Sequence, residues 1–283
     1  MSMTVTRRRR LASVLRTIVA VIATLVVLFP LYWMIQTAIL PTSLVLSRQP
    51  ALTPIGQPVQ FDAIVTVLRD TPMLRWLANS GLITLGASAI AAVASTLGGY
   101  ALSRYAVRGR VGVTYTLLLG RVIPGTLVIL PFFVIFKAIR LLDSPWAVVL
   151  ANVSAILPFA TLLMKNYFDG VPRELDEAAL VDGCSRLRAL WSVLIPVAAP
   201  GIGACVAFAA TSSWVEMLFG RTLLISEEKW TVPVGIASLI GEIGTDWNVL
   251  MAAGAVSIIP VLVIYWFIQP YLVSGMTSGA VKG

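Results

Sequence analysis

The sequence predicts an all-α integral membrane protein with six membrane-crossing helices, and three observations predict it. Of its 283 residues 58% are hydrophobic and only 12% are charged, with a mean hydropathy of +0.90; an ordinary soluble domain is roughly one-quarter charged. Six apolar runs are long enough to cross a hydrocarbon core about 30 Å thick. Between the fourth and fifth runs lies a polar interruption, Glu177 to Pro196, reading EAALVDGCSRLRALWSVLIP. The runs must be helices, because lipid cannot satisfy open backbone groups.

The runs are Thr17–Ile39, Gly81–Leu102, Val113–Phe136, Trp146–Met164, Val197–Phe219 and Val249–Ile268. Arg7 to Arg10 precede the first run as the n-region of a secretory signal would. That run is too long for a signal, however, and IQTAILPTS offers no good A-x-A cleavage site. It reads as a helix whose basic flank stays in the cytosol, and an even number of spans returns the C-terminus to the same side. On this topology thirteen of the 21 Lys and Arg lie inside, seven outside, and Arg121 within a span. The bias follows the positive-inside rule, with both termini cytosolic. The expected organisation is a basic N-terminus over 1–16, one transmembrane domain over 17–271 with its polar loop at 169–196, and a tail over 272–283.

Composition argues against other classes. The net charge of +8 is spread over loops and forms no aromatic-interleaved basic face, so no nucleic-acid partner is expected. Cys184 and Cys205 have no partner at metal or redox spacing, and histidine is absent. With no such ligand or base, neither a metal site, a bound cofactor nor a catalytic centre is expected. The four lysines follow Phe136, Met164, Glu228 and Val281, so none belongs to a phosphate-cradling G-x-x-x-x-G-K-[ST] loop.

Outside the membrane, the first loop turns amphipathic in FDAIVTVLRD. Phe61, Ile64, Val65 and Leu68 recur at i, i+3, i+4 and i+7, which predicts a helix that lies along the membrane surface or against a partner, or simply covers neighbouring spans. In the polar interruption, Pro172 suits the first turn of a helix, and Glu174, Asp176 and Glu177 follow where the positive dipole end favours acids. This helix is expected to run to Asp182, with Gly183 in the left-handed conformation that ends it. A second helix is expected from Ser185, with Leu187, Leu190, Trp191 and Leu194 on one side and Pro196 marking re-entry to the membrane. Ala178 and Ala179 present almost no side chain, which lets another backbone approach.

The run Glu177-Ala178-Ala179, Asp182-Gly183, then Ile195-Pro196 resembles the EAA signature of binding-protein-dependent ABC importer permeases. Cys184 stands where that family usually has Ala, and Leu190 where it usually has an aromatic. The resemblance extends to RVIPGTLVILPFFVIF from Arg121, to SSWVEMLFG, where Val215 replaces a usual Asn, and to the ending LVSGMTSGAVKG. These resemble the MalG-type subunit of carbohydrate importers. The resemblance implies the type I importer permease fold, in which the loop forms coupling helices docked in a cleft of an ATPase subunit. It implies as partners a second, MalF-like permease, a dimer of cytosolic ATPase subunits holding ATP and Mg, and an extracytoplasmic sugar-binding protein. It also implies a substrate among di- and oligosaccharides or glycerol phosphates, and an ion pair between Glu177 and an ATPase arginine, with Gly183 as hinge.

Two charged residues, Arg121 and Glu216, fall inside the six runs. Arg121 lies eleven residues beyond Arg110, about 16 Å along a helix and so near mid-membrane, where a charge costs at least ~2.5 kcal/mol. It faces either the sugar pathway or a structural partner, and Pro124 with Gly125 is expected to loosen the helix beside it. Glu216 snorkels to the surface or, with Trp214, contacts sugar by hydroxyl hydrogen bonds and ring stacking. In the last outside loop Glu242, Gly244, Thr245 and Asp246 occupy the place of the MalG segment that reaches into the binding protein. The rival reading is an ATP-independent secondary transporter, which needs midplane acids or inverted halves; the sequence displays neither.

Overall fold

A computed structural model describes residues 2–47, 51–105, 108–241 and 244–280. The described residues form helices and connecting turns without a β-strand. They comprise α1 (Ser2–Ile39), α2 (Thr42–Val45), α3 (Asp62–Arg69), α4 (Met73–Arg104), α5 (Arg110–Val122), α6 (Gly125–Ala138), α7 (Pro145–Asp169), α8 (Glu174–Val181), α9 (Arg186–Ala189), α10 (Ile195–Trp214), α11 (Leu218–Leu223), α12 (Val232–Ser238) and α13 (Trp247–Ala280). Five stretches are long and apolar enough to span a membrane, and six if α5 with α6 is one broken span. The chain forms two compact units, Met1–Pro72 with Ser238–Ile258 and Met73–Ala237 with Ile259–Gly283.

In the second unit, α4 packs along α7 through small residues. Ala87 and Ala91 of α4 are fully buried, as are Ala147, Ala151 and Ala160 of α7. In lipid, helix pairs gain little from hydrophobicity and depend on close backbone approach. Gly99 is where the approach is tightest: a Cβ there would lie 2.6 Å from Met164 Cβ and 2.7 Å from the Lys165 backbone nitrogen. Farther along, Tyr100 meets Phe168 edge-on with centroids 5.7 Å apart. The α4 helix has 32 residues, hence a length of about 48 Å, and its ends define a Trp76 end and an Arg104 end.

At the Trp76 end the segment from Leu224 to Thr231 is fastened from two sides. Asp143, in the α6–α7 turn with φ +56°, accepts from the Ile225 and Ser226 N–H groups at 2.9 Å, the Ser226 hydroxyl at 2.6 Å and Lys229 Nζ at 2.7 Å. From α4, Asn79 Nδ2 donates to the carbonyls of Glu228 (2.8 Å) and Trp230 (3.0 Å), and Trp76 Nε1 to that of Glu227 (3.2 Å). Burial alone would raise the Asp143 carboxyl, but the hydrogen bonds from Lys229, Ser226 and the backbone hold it far below the usual carboxylate range.

In the first unit, Asn248 at the start of α13 ties α1 to α2. Its Nδ2 donates to the carbonyls of Thr37 (2.7 Å) and Leu40 (2.5 Å), and its Oδ1 accepts from the Thr42 hydroxyl at 2.8 Å. The amphipathic segment forms α3 as expected, but Phe61, Val65 and Leu68 are exposed and Val67 is the buried residue. The expected apolar stripe therefore does not act as the cover within this unit.

Three expected boundaries require correction. The run Val113–Phe136 is two helices, α5 and α6, bent by 97°. Pro124 excludes the helical conformation at the residue before it, and Ile123 is extended with ψ 118°. The run Val197–Phe219 ends its helix at Trp214, and α11 starts a separate short helix, so Glu216 lies in the connection between them. The helix from Arg186 does not stop at Pro196 but continues through a π-turn, Leu190–Leu194, into α10. Pro196 follows directly on the π-turn, a local widening of the helix, and the helix runs on through it.

Candidate functional site

The polar interruption stands at the Arg104 end as α8, a Gly bend and α9. The carboxylates Glu174, Asp176 and Glu177 occupy the first turn of α8, where open N–H groups favour negative charge. Gly183 ends the segment with φ +82°, a conformation that side-chain-bearing residues rarely adopt. Ser185 caps α9, its hydroxyl accepting from the Arg188 N–H at 3.3 Å. Leu190 and Leu194 are buried, whereas Leu187 and Trp191 are exposed, so the expected apolar side is half used. Glu177, Ala178, Asp182, Gly183 and Pro196 are exposed, Ile195 is half-buried, and Ala179 packs inward.

Beneath α8 lies a cavity of about 180 Å³ whose lining includes Tyr100, Arg104, Arg173, Asp176, Glu177 and Arg186. Arg104, the last residue of α4, reaches across to α8. Its Nε lies 2.8 Å from Asp176 Oδ2, and its Nη2 donates to the Val171 carbonyl at 2.8 Å. The Nε–H does not point along the first contact, so that attraction is ionic rather than a directed hydrogen bond. Asp169 holds the neighbouring corner, accepting from the Ser103 hydroxyl at 2.7 Å and Lys165 Nζ at 2.5 Å. The sequence places Asp176 at the helix start but gives no sign of its partner, because Arg104 and Asp176 are far apart in the chain and share no motif.

The residues expected along a pathway occupy separate places. Arg121 is exposed in the last turn of α5, where a cation complements the negative helix end, and its guanidinium stands 4.2 Å over the Phe159 ring. Pro124 is the cap residue of α6. Trp214 is buried at the end of α10 and lines an apolar cavity of about 560 Å³ with Thr84, Ser88, Ala210, Pro260 and Ile264. Glu216 turns its carboxylate onto α11, accepting from the Phe219 N–H at 2.7 Å and the Gly220 N–H at 3.1 Å. Both of its oxygens therefore satisfy open N–H groups at a helix start.

Of the four positions in the last long loop, Glu242 lies outside the described residues. Gly244 is exposed and Thr245 half-buried. Asp246 Oδ1 accepts from the N–H groups of Asn248 (3.0 Å) and Val249 (3.2 Å), capping α13. Cys184 and Cys205 are both free, the latter buried with Sγ 3.1 Å from the Ser95 hydroxyl. Among the described residues no three His, Cys, Asp or Glu side chains gather as a metal site would require.

Apolar helices of membrane-spanning length, one of them broken, together with a charged helix-bend-helix element define an all-α integral membrane protein. The chain belongs to the family of binding-protein-dependent transport system inner membrane components, whose model matches residues 94–278. It is 30% identical over 266 residues to the diacetylchitobiose uptake system permease protein DasC of Streptomyces coelicolor, covering 94% of this chain and 96% of that one. It is 32% identical over 256 residues to the sulfoquinovosyl glycerol transport system permease protein SmoH of Agrobacterium fabrum, covering 90% and 89%. Among solved structures it resembles a bacterial ABC transporter involved in the import of the acidic polysaccharide alginate, with TM-score 0.77 and 25% identity over 93% of this chain and 97% of that one.

Proposed function

We propose that this chain is one of two permease subunits of an ATP-driven importer that takes a di- or oligosaccharide, or a related glycerol phosphate, from an extracytoplasmic binding protein. In this reading the Arg104 end faces the cytosol, as do both termini. Helices α8 and α9 dock in a cleft of a separate ATPase subunit, which holds ATP and Mg, and its closure drives alternating access. The observation that carries the reading is the exposed edge formed by Glu177, Ala178 and Gly183, set over a polar cavity. It presents a free carboxylate and a nearly bare helix surface, as a docked element needs. Membership of a binding-protein-dependent family supports the extracytoplasmic partner, and the names of the sugar-transporting relatives support the substrate class.

An exposed Glu177–arginine pair across the subunit contact contributes about 1 kcal/mol, so the fit of Ala178 matters at least as much. The pathway roles of Arg121, Pro124 and Trp214, and the approach of Gly244, Thr245 and Asp246 to the binding protein, belong to the same proposal. The committed bonds of Glu216 favour a structural role for that residue. The test is ATP hydrolysis by the complex purified through a tag on this chain. Glu177→Ala and Gly183→Pro are expected to insert normally but to lose the stimulation of hydrolysis by loaded binding protein. Normal stimulation in both, or transport by this chain alone in liposomes without ATP, overturns the reading.

A further inference from the structure

Among the described ion pairs, Arg104–Asp176 is the one whose side chains are both largely buried, at 7% and 17% exposure. The others are more open; Arg75–Glu228, for example, stands at 57% and 77%. Its placement is unusual in a second respect. The cavity with Tyr100, Leu180 and Arg186 in its wall separates α8 from the last turns of α4, so apolar packing does not fill the space between them. Val171 and Leu175 bind the loop to the apolar cluster around Phe168 and Leu194, which α4 joins through Tyr100, one turn before its end. The direct bridge from α8 to the end of α4 is the Arg104 guanidinium, which holds Asp176 with one nitrogen and the Val171 carbonyl with another.

A desolvated charge pair of this kind resists separation strongly, because either partner alone is left buried and uncompensated. Two further contacts tie this same end of α4 to α7: the backbone approach at Gly99 and the Ser103–Asp169 hydrogen bond. Displacing α8 therefore pulls on a rigid helix about 48 Å long. We infer that Arg104 and Asp176 form the pin through which α8 moves α4, making them positioning residues for transport that act through α4 rather than by touching substrate or nucleotide. This inference rests on the proposal that α8 docks on an ATPase.

The test needs no transported substrate. In the complex purified through a tag on this chain, with Cys184→Ser, single reporter cysteines replace Val181 on α8 or Leu85 on α4, both exposed. Maleimide labelling rates are measured with and without ATP plus vanadate. With Arg104 and Asp176 intact, both reporters are expected to change rate at least threefold. In Asp176→Asn and in Arg104→Lys, the Val181 reporter keeps its response and the Leu85 reporter loses it. A Leu85 response that persists in both variants overturns the pin. So does loss of the ATPase subunit from both variant complexes, since that makes the pair an assembly element. If Val181 fails to respond even with the pair intact, the docking of α8 itself is refuted, an outcome distinct from failure of the pin.

Discussion

Two short segments cap the opposite ends of α4, and they are built in opposite ways. The segment Leu224–Thr231 is held by four contacts to the Asp143 carboxylate and by Asn79 and Trp76, so its backbone polar groups are tied to two neighbouring elements. The α8–α9 segment meets the end of α4 through a buried charge pair, Arg104–Asp176, and through Arg186 over the Tyr105 ring, and it leaves Glu174, Glu177 and Asp182 exposed. The first is satisfied internally and is suited to stay still. The second keeps exposed charge beside a cavity, and it is the element that the proposal docks on the ATPase subunit.

Substitutions that separate stability from coupling sharpen this contrast. The largest loss of stability is expected from Asp143→Ala, which takes the acceptor from the Ser226 hydroxyl and two backbone N–H groups and the counter-charge from Lys229; about 2 to 3 kcal/mol should be lost in thermal unfolding, with ATP coupling of the surviving complex unchanged. Asn79→Ala removes two bonds to carbonyls and should cost about 1 to 2 kcal/mol in the same assay. Gly183→Ala forces a side chain into a left-handed position, at about 1 kcal/mol. Glu177→Ala should shift unfolding by less than about 0.5 kcal/mol while abolishing coupled hydrolysis. Parallel losses of stability and coupling at both segments would erase the distinction.

Acid sharpens it further. The folded carboxyl of Asp143 titrates well below its ordinary value of 3.8, so the unfolded chain takes up this proton first. Its contribution is complete above about pH 5 and is lost as pH falls through 4 and below. The Trp76-end segment should loosen over that window, seen as faster hydrogen exchange at Ile225 and Ser226. Asp143→Asn should remove that particular pH dependence.

Most of the bundle is legible in the sequence, because a membrane span needs some twenty apolar residues and little else imitates that. Helix α8 and its end are legible too, from three acids and a glycine in the order that helix termini require, although Pro172 lies ahead of the cap residue Arg173 rather than in the first turn. Pro124 and Gly125 mark the place of the break, but its 97° is not legible, because apolar residues continue on both sides and hydropathy carries no information on direction. The passage from Arg186 into α10 is hidden for a related reason, since Pro196 reads as a boundary unless the π-turn ahead of it is known. Arg104–Asp176, Asp143–Lys229 and Asn248 with Thr42 join residues distant in the chain, and only folding brings them together.

Placing a photo-crosslinking residue at Ala178, exposed on α8 beside Glu177, tests the central claim most directly. Irradiation of the purified complex should join this chain to a polypeptide carrying a G-x-x-x-x-G-K-[ST] loop, identified by mass spectrometry, in a yield that changes when ATP and vanadate are added. An assembled, ATP-hydrolysing complex in which Ala178 reacts with lipid and water alone would contradict it.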